Sequence, residues 1–438
     1  MSEWIKICPP PLDKTLGDHD VPQKGDYLKG KRIALLCTGS IASITVPTLS
    51  RELRKYGADV QVFATPDAIK CGVGITALEW GSYPNPVITE LTSHSEHLSL
   101  GKLFDLYLVA PATANTINKV ACGISDTVVT NTLASALGRS VPIVMVPAMH
   151  GSLHTPILTQ SIEKLRNLGV FFVAPFNAYG KHNMQEKDVV VSDVCRILSK
   201  SNIKNIPILV TAGPTPVKID NVRRLTNKFS GKLGILIAKH LYFLGADVHL
   251  LQSYSGIRPE RYLPYTLFKD YDEYYEMTHS VIEMIQNKAW KKKVPYYGIF
   301  SAAVADYKPT EVFEGKIPSK GALKTITFVD TKKVIDDILE KFPDINLISF
   351  KYEEGKTKKE LRTIAKQRLD KGHCLVVVND GTMSLKEQQA ELVSKETFDY
   401  DPSLGLGESY HYIVGKQKIA NEIGKFLCKR VIKKMTIK

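Results

Sequence analysis

Short apolar runs alternate with amphipathic stretches along most of the chain, which predicts alternating strands and helices. The first unit of this kind has an apolar run at Arg32–Cys37, a helical pattern from Ile41 to Tyr56 and a second strand at Asp59–Ala64. The pattern continues with strands predicted at Leu106–Val109, Ile143–Val146 and Val170–Ala174, and with helices predicted at Thr116–Gly123, Asp126–Leu137 and Thr155–Leu168. Repeated βαβ units indicate a parallel, doubly wound sheet.

The alternation starts again after a short polar segment, Ser199 to Asn205, which we expect to be a linker. Strands are predicted at Pro207–Thr211, Asp247–Leu251, Tyr297–Ser301, Ile345–Phe350 and Cys374–Val378, helices at Gly231–Leu244, Asp272–Asn287 and Lys359–Lys371, and a final strand and helix after Tyr410. The predicted fold class is therefore α/β, with two Rossmann-like doubly wound domains in series. We expect an irregular arm at residues 1–29, domains at 30–198 and 206–438, and the linker at 199–205.

The composition agrees with a globular protein of two domains. The chain has 438 residues, enough for two domains of roughly 200 residues each, and is 44% hydrophobic and 24% charged. No apolar run approaches the roughly 20 residues of a membrane helix, and the first 30 residues lack the apolar core of a signal peptide. We therefore expect a cytoplasmic protein without membrane contact. The seven cysteines are scattered without a CxxC pair, which argues against a disulfide framework or a zinc site.

The net charge of +13 is compatible with nucleic acid or with anionic small molecules as partners. The densest lysine clusters are typical of solvated surface. Because the chain has neither an RNA-binding aromatic signature nor a zinc finger, we expect no nucleic-acid partner.

Two turns that follow predicted strands have the composition of anion sites. The first, Thr38–Ala42 (TGSIA), joins a strand to a helix, although without a GxGxxG pattern it is also typical of an ordinary tight turn. Thr65 ends the next strand, and the small residues of Ala110–Thr116 would let the backbone approach a planar ring, with Asn115 near its edge. The second turn lies in Ile206–Gly234, where a strand, a Gly-Pro-Thr loop and a basic segment precede a helix start, an arrangement suited to phosphate.

Motifs in the first half resemble those of the flavin-dependent cysteine decarboxylases, which include phosphopantothenoylcysteine decarboxylase. The motifs are TGSIA, SEHLSL at 95–100, APATANTINKVACGISD at 110–126 and PAMHGSLH at 147–154. The resemblance implies a flavodoxin-like flavoprotein domain with FMN in the sheet crevice, held by Gly39, Ser40, Ile41, Thr65, Thr113, Ala114, Asn115, Thr116 and Ala136. It also implies that His97 is the catalytic histidine and that Met149 and His150 bind the substrate carboxylate. From the residues alone, His97 would be a surface histidine before a helix.

Two departures from this family concern its substrate-binding segments. The family motif PxMNxxMW is altered, because His150 replaces the Asn, and Leu153 and His154 replace the Met and the aromatic residue. The flap at Asn177–Asp188 contains no cysteine, whereas the family places a cysteine there for the reducing step. The proton must then come from another group, such as Lys181 or His182, or this half has lost its complete reaction.

Motifs in the second half resemble those of phosphopantothenoylcysteine synthetase, the ligase commonly fused after this decarboxylase. They are VTAGPTPVKIDNVRRLTNKFSGKLG at 210–234, FSAAVADYKP at 300–309, GKIPS at 315–319 and VND at 378–380. The resemblance implies catalytic roles for Asn227 and Arg223 and nucleotide contacts by Ser301, Ala302, Asp306, Lys316, Phe350 and Lys371. A further family lysine falls near Lys366 and Arg368 without deciding between them. Pro318 and Ser319 stand where the family's corresponding segment, KIKK, has its two later lysines. The choice between CTP and ATP therefore stays open.

The implied function is bifunctional coenzyme A biosynthesis. CTP with Mg²⁺ or Mn²⁺ would activate 4′-phosphopantothenate as an acyl-cytidylate, cysteine would attack it, and FMN-dependent decarboxylation would give 4′-phosphopantetheine. The alternative is a ligase alone, with the flavin domain a non-catalytic or altered module, and a basic nucleic-acid-binding flavoprotein is a third interpretation. The family resemblance also implies a homo-oligomer, with trimers formed by the flavin domain and dimers by the ligase domain.

Overall fold

The structure is a computed structural model that describes residues 20–93, 96, 103–320, 325–380, 388–396 and 409–436. The chain divides between Leu198 and Ser199 into two compact units. Residues 199–205 belong to the second unit, where the backbone N–H of Asn205 donates to the carbonyl of Gly245 at 2.9 Å and the Ile203 side chain is fully buried. No helix among the described residues is both long enough and apolar enough to cross a bilayer.

The first unit is built on a parallel five-stranded sheet. Its described strands are β1 (Arg32–Cys37), β2 (Asp59–Ala64), β3 (Leu106–Ala112), β4 (Ile143–Pro147), β5 (Met149–His150), β6 (Phe171–Phe172), β7 (Phe176–Ala178) and β8 (Lys181–Asn183). The main sheet has the order β2-β1-β3-β4-β6, and β5, β8 and β7 form a separate antiparallel sheet. Every residue of β1, β3 and β4 is buried, because helices cover both faces, and this explains their unbroken apolar runs.

The helices of the first unit include one, at Ile75–Ser82, that the sequence pattern did not predict. They are α1 (Val46–Arg54), α2 (Ile75–Ser82), α3 (Ala114–Ala121), α4 (Val128–Gly138), α5 (Pro156–Asn167) and α6 (Lys187–Leu198). The single helix predicted from Ile41 to Tyr56 is wrong, because Ile41–Thr45 forms a 3₁₀ turn before α1 begins. Pro47 lacks the N–H that a continuous helix would direct at the carbonyl of Ser43, so the α-helical bond pattern cannot extend backwards past this point.

The second unit contains a larger mixed sheet. Its described strands are β9 (Pro207–Ala212), β10 (Val217–Lys218), β11 (Arg224–Leu225), β12 (Asp247–Ser253), β13 (Tyr265–Phe268), β14 (Tyr297–Phe300), β15 (Tyr307–Pro309), β16 (Phe328–Asp330), β17 (Asn346–Glu353), β18 (His373–Asp380), β19 (Gln389–Ser394) and β20 (Ser409–Val414). The order of the large sheet is β13-β12-β9-β14-β17-β18-β19-β20. The next strand of this sheet along the chain, β12, pairs with one side of β9, and the later strand β14 pairs with the other side. The strand order therefore reverses between β9 and β14.

The edge of this sheet differs from the purely parallel arrangement that the alternation predicts. Strands β19 and β20 are antiparallel to their neighbours. Only eight residues separate the end of β18 from the start of β19, whereas a parallel crossover needs a dozen or more. The helices of this unit are α7 (Lys232–Phe243), α8 (Tyr271–Lys292), α9 (Val334–Lys341), α10 (Lys358–Asp370) and α11 (Lys416–Thr436). The sequence pattern did not predict α9, β13 or β19.

Candidate active sites

A cavity of about 740 Å³ lies at the carboxyl end of the parallel strands of the second unit. Residues that follow β9 and β14 and residues of the second half of β17 line it, and these three strands are neighbours in the sheet. Because β9 and β14 flank the reversal of strand order, the cavity occupies the crevice in which open α/β sheets bind ligands. Its size is that of a small-molecule site.

Glycines allow the start of α7 to approach the end of β9 closely. A Cβ atom at Gly231 would lie 2.8 Å from the backbone nitrogen of Gly213, and both glycines have positive φ. A Cβ atom at Gly234 would lie 2.4 Å from the Cβ of Ala212 and 2.5 Å from the Oγ of Ser301. The first N–H groups of α7, which have no partner within the helix, therefore lie at the cavity wall and form a site for an anion.

The loop after β14 is tied to the Gly-Pro-Thr loop by backbone and hydroxyl contacts. The Ser301 hydroxyl donates to the carbonyl of Thr211 at 2.6 Å, and the N–H of Ala303 donates to the carbonyl of Gly213 at 2.9 Å. The side-chain amide of Asn227 donates from Nδ2 to the carbonyl of Ala303 at 3.0 Å. These bonds hold Asn227 beside the loop that contains Ser301, although 74 positions separate the two residues in the sequence.

A buried carboxylate, Asp220, joins the basic segment to the loop that contains Lys316. Its Oδ2 accepts from Nη1 of Arg223 at 2.6 Å and from the N–H of Ile317 at 3.0 Å, while its Oδ1 accepts from the N–H of Val222 at 2.7 Å. Burial acts to raise the pKa of Asp220, but these hydrogen bonds outweigh it and hold the pKa well below its ordinary value. Lys316 itself is exposed and is not among the described residues that line the cavity.

The cavity carries an excess of positive charge. Its basic lining residues are Lys228, Lys232, Lys332, Lys333, Lys351, Arg368, Lys371 and Lys416, against two aspartates, Asp306 and Asp336. Both aspartates are paired, since Lys333 Nζ lies 2.5 Å from Asp306 Oδ1 and Lys371 Nζ lies 3.7 Å from Asp336 Oδ2. Lys228 and Lys351 are paired as well, with Glu354 at 3.6 Å and Glu353 at 2.7 Å, and the other cations favour a negatively charged ligand.

Arg368 and His373 lie deeper in the same cavity. Arg368 Nη1 donates to the carbonyl of Phe350 at 3.0 Å and to Ser349 Oγ at 3.2 Å, and His373 Nδ1 lies 2.7 Å from the same hydroxyl. Burial, helped by the positive charge of Arg368, lowers the pKa of His373 to about 4, so the ring is neutral at neutral pH. Of the two residues that the sequence left open, Arg368 lines the cavity and Lys366 is not among its described lining residues.

Asn379 also lines the cavity, although sequence reasoning assigned it no role. Its side chain is buried, and Oδ1 has no hydrogen-bond partner among the residues that the structure describes. A buried amide oxygen without a partner costs free energy, and a donor on a ligand would satisfy it. The VND motif was the signal that could have identified this residue.

In the first unit, the predicted flavin-contacting residues follow three neighbouring strands. Gly39 and Ser40 follow β1, Thr65 follows β2 and Thr113 follows β3. A Cβ atom at Gly39 would lie 2.5 Å from the Cβ of Asp67, so a larger residue would displace this turn. The Ile41 side chain beside the turn is 82% exposed, which is unusual for a large apolar group and leaves it available to an apolar ligand.

The threonines of this crevice cap helices. Thr65 Oγ1 accepts from the N–H of Ala68, and Thr113 Oγ1 accepts from the N–H of Thr116, each at 3.3 Å. Ala114 and Thr116 are buried in the first turn of α3, whereas Asn115 is exposed. Ala136 differs from the others, because it is fully buried in the core of the unit.

The segment after β4 carries the residues expected to bind a carboxylate. Met149 pairs with His182 and His150 pairs with Lys181, so that β5 joins the hairpin of β7 and β8. His150 is exposed, and its Nδ1 lies 2.7 Å from the Oγ of Ser152. His97, the expected catalytic histidine, lies outside the described residues.

Comparisons with known proteins cover both units. The Flavoprotein family matches residues 22–199, and the family described as DNA/pantothenate metabolism flavoprotein C-terminal domain matches residues 203–403. The coenzyme A biosynthesis bifunctional protein CoaBC of Thermococcus kodakarensis is 35% identical over 380 residues, which are 85% of this chain and 91% of that protein. The chain belongs to the CoaBC family.

Another CoaBC protein, from Methanocaldococcus jannaschii, is 32% identical over 82% of this chain and 85% of its own length. A solved structure from Streptococcus pneumoniae, a DNA/pantothenate metabolism flavoprotein, is 25% identical, with a TM-score of 0.42, over 51% of this chain and 98% of its own. Membership in the CoaBC family makes this chain a bifunctional enzyme of coenzyme A biosynthesis, with a decarboxylase in the flavoprotein domain and a ligase in the second domain. The ligase-only alternative is not supported.

Some of the predicted ligase residues line the cavity, and others do not. Ser301, Ala302, Asp306, Phe350 and Lys371 all line the cavity of the CoaBC ligase unit. Asn227 and Arg223 are not among its described lining residues and are connected to the loops beside it, Asn227 through Ala303 and Arg223 through Asp220. Sequence reasoning missed Asp220, His373 and Asn379 as contributors to this region.

Proposed function

We propose that the second unit joins 4′-phosphopantothenate to cysteine at the expense of CTP and that the first unit decarboxylates the product with FMN. In the first half-reaction, a carboxylate oxygen of 4′-phosphopantothenate attacks the α-phosphorus of CTP and pyrophosphate leaves. In the second, the cysteine amine attacks the acyl-cytidylate and CMP leaves. The observation that carries the ligase proposal is the cationic cavity at the start of α7, because cationic side chains and the first N–H groups of a helix both bind phosphates.

Each ligase residue has a proposed task. The first N–H groups of α7 and the cavity lysines, including Lys371, bind phosphates, and Lys316 reaches the nucleotide from its own loop. Ser301, Ala302, Asp306 and Phe350 shape the nucleotide pocket. Asn227 holds the acyl-cytidylate, and Arg223, oriented by Asp220, acts in the second half-reaction. Stabilisation of developing negative charge by such fixed donors is usually the largest contribution to catalysis of this kind.

We propose Mg²⁺ or Mn²⁺ as the metal partner of the triphosphate. Among the described residues, no group of three or more His, Cys, Asp or Glu side chains is placed to hold a metal ion. Mg²⁺ is commonly held through substrate phosphates with one or two carboxylates, and Asp306 and Asp336 are the carboxylates of this cavity.

The crevice of the first unit fits FMN. The exposed Ile41 offers an apolar surface to a planar ring, the turn at Gly39 and Ser40 offers backbone N–H groups, and Asn115 offers an exposed amide. When bound, FMN supplies the acceptor for two electrons from the substrate thiol and returns them later. We assign Thr65, Thr113, Ala114, Thr116 and Ala136 to the same site, His97 to proton transfer, and Met149 and His150 to the substrate carboxylate.

We also propose that the chain acts in the cytoplasm as a homo-oligomer, with trimers formed by the first unit and dimers by the second. This proposal rests on the family alone. Mass measurement of the intact protein and of its two separate units tests it, and a monomer at micromolar concentration would contradict it.

The two activities can be tested together in the full-length protein. Purified protein is mixed with 4′-phosphopantothenate, cysteine, Mg²⁺ and either CTP or ATP, and pyrophosphate and carbon dioxide are measured separately. We expect both products with CTP and less pyrophosphate with ATP. Pyrophosphate without carbon dioxide would contradict the decarboxylase, and no pyrophosphate with either nucleotide would contradict the ligase. A purified protein without the visible absorption of a flavin would contradict FMN.

A further inference from the structure

A short hairpin in the first unit is held firmly against the segment that follows β4. Strands β7 and β8 are joined by two residues with positive φ, Tyr179 and Gly180, as in a tight β-hairpin. The N–H of Gly151 donates to the carbonyl of Gly180 at 2.9 Å, and a Cβ atom at Gly151 would lie 2.5 Å from that oxygen. Because β5 pairs with β8, the hairpin cannot move independently of residues 149–151.

The hairpin also connects to the turn expected to bind FMN. Beyond β8, the sulfur of Met184 lies 3.6 Å from Oγ1 of Thr45, whose hydroxyl donates to the carbonyl of Ala42 at 2.8 Å, and Thr45 ends the 3₁₀ turn that follows Ser40. The segment that contains the hairpin therefore extends from the residues after β4 to the 3₁₀ turn that follows β1. Both strand ends lie at the ligand-binding edge of an open α/β sheet.

Two histidines on these segments form a directed chain of hydrogen bonds. Asn177 Oδ1 lies 2.6 Å from His182 Nδ1, and His182 Nε2 lies 2.9 Å from His154 Nδ1. The two rings are 4.9 Å apart, centre to centre. An amide oxygen can only accept, so Nδ1 of His182 carries a proton, and in the neutral ring its Nε2 accepts from Nδ1 of His154.

This direction leaves Nε2 of His154 as the free end of the chain. His154 is exposed, so that nitrogen can take a proton from solvent, and the resulting imidazolium keeps its Nδ1–H bond to His182. An imidazole that exchanges protons near neutral pH is the usual general acid of enzymes.

Decarboxylation of a cysteine carboxylate creates a need for such an acid. When carbon dioxide leaves the oxidised thiol, the two electrons of the broken C–C bond form an enethiolate, and its carbon must gain a proton. We propose that His154 donates this proton and that His182 and Asn177 are the positioning residues that orient it, an inference that rests on the proposed decarboxylation. The new C–H bond forms as the Nε2–H bond breaks, neutral imidazole remains, and solvent restores its proton. The flavin returns the two electrons removed earlier.

Lys181 is the competing donor on the same hairpin. It lies opposite His150 in the strand register, whereas His182 faces Met149. A lysine ammonium holds its proton to about pH 10, which makes it a weaker acid for carbon than an imidazolium. Apart from the histidine pair, the titratable groups of the 3₁₀ turn and the three strands packed here are His150, Tyr179 and Lys181.

The first experiment supplies 4′-phosphopantothenoylcysteine to the full-length protein and measures carbon dioxide and the two possible thiol products, which differ by two hydrogens. In His154→Gln we expect carbon dioxide release to persist and the saturated thiol to fall about 10²-fold, the size of general-acid catalysis, with the unsaturated thiol accumulating. His411→Gln, a change at a half-buried histidine of the second unit that lies 3.8 Å from Glu422, is the control and should leave the product ratio unchanged.

The outcomes separate the inference from the proposed function. A wild-type protein that releases no carbon dioxide overturns decarboxylation and the proton donor together. Intact carbon dioxide release with normal saturated thiol in His154→Gln overturns the histidine pair alone. A loss of saturated thiol in Lys181→Gln but not in His154→Gln assigns the proton to Lys181 and overturns the inference.

A second measurement tests the hydrogen-bond chain without any turnover. Nitrogen NMR of the full-length protein, labelled at its 11 histidines, reports which ring nitrogen carries the proton. We expect the Nδ1–H tautomer at His154 and His182 in the neutral state, and loss of that preference at His182 in Asn177→Leu. Asn177→Asp keeps an acceptor and should retain the tautomer and the saturated product. The Nε2–H tautomer at His182 in the wild-type protein would refute the chain.

Discussion

Substitution of Gly234 by Ala tests the close approach between helix α7 and strand β9. In this position an added Cβ atom would lie 2.4 Å from the Cβ of Ala212, 2.5 Å from the Oγ of Ser301 and 3.2 Å from the carbonyl oxygen of Thr211. Ala212 is fully buried and belongs to β9, so it cannot move without the strand. The helix would have to shift away from the sheet, and the start of the helix lines the cavity.

Two effects of opposite sign decide how much Gly234→Ala changes the free energy of unfolding. Replacing Gly by Ala inside a helix stabilises the folded state by about 1 kcal/mol, because Ala has the higher helix propensity. Overpacking of a fixed core contact costs about 1–3 kcal/mol, and here three atoms are too close rather than one. We therefore expect net destabilisation of about 1–2 kcal/mol. For a unit of this size each kcal/mol lowers the melting temperature by roughly 2–4 °C, which gives a decrease of about 2–8 °C.

The assay follows thermal unfolding of the full-length protein with and without CTP, so that the transition of the second unit is identified by its response to nucleotide. Gly138→Ala is the matched control, because Gly138 ends helix α4 and has no atom within 4 Å of an added Cβ. The control should be neutral or slightly stabilising. Gly234→Ala should also lower kcat/KM for pyrophosphate release by about 10-fold or more, because the anion site moves with the helix.

The reasoning fails if Gly234→Ala melts at or above the wild-type temperature and retains wild-type pyrophosphate release. That result would mean that the approach of α7 to β9 tolerates a methyl group. Equal losses in Gly138→Ala would instead show that the effect is unspecific. Decarboxylation of supplied 4′-phosphopantothenoylcysteine serves as the internal reference and should be unchanged.

Asn227→Asp should lower the rate of pyrophosphate release by about 10²-fold, because it replaces the donor to the Ala303 carbonyl by a carboxylate; unchanged release would contradict the assignment. His97→Asn should abolish carbon dioxide release and leave ligation intact, and equal loss of both would contradict separate sites. Burial lowers the pKa of His373 to about 4, so the unfolded chain binds a proton at this residue more tightly than the folded chain does. The free energy of unfolding should therefore fall as the pH drops from about 6.5 towards 4, by up to about 3 kcal/mol. His373→Asn keeps an acceptor for Ser349 and should flatten this dependence in urea unfolding, and an unchanged slope would refute the assignment.

Particular elements show how far the sequence pattern reaches. Strands β1 and β2 were predicted with their observed bounds, because strands buried on both faces must be apolar throughout. The extent of α1 was not, since one residue, Pro47, breaks a helical pattern that otherwise continues. The antiparallel β19 was missed because it depends on a short connection rather than on periodicity.

The residues of the cavity were likewise predicted only in part from the sequence. The sequence identified the Gly-Pro-Thr loop and the loop after β14 as motifs, but could not show that Asn227 contacts Ala303. It left Lys366 and Arg368 undecided, because both fit the local spacing, and only the packing of α10 against β18, which lies beside β17, places Arg368 against the Phe350 carbonyl.

The sequence by itself determined the two α/β domains, their order and the motifs that indicate a decarboxylase followed by a ligase. These features follow from local patterns of burial and from residue types at fixed spacing. The tertiary structure decided which distant groups meet: Asp220 with Ile317, Arg368 with Ser349, and His154 with His182. Such contacts join residues 19 to 97 positions apart, and no local pattern specifies them.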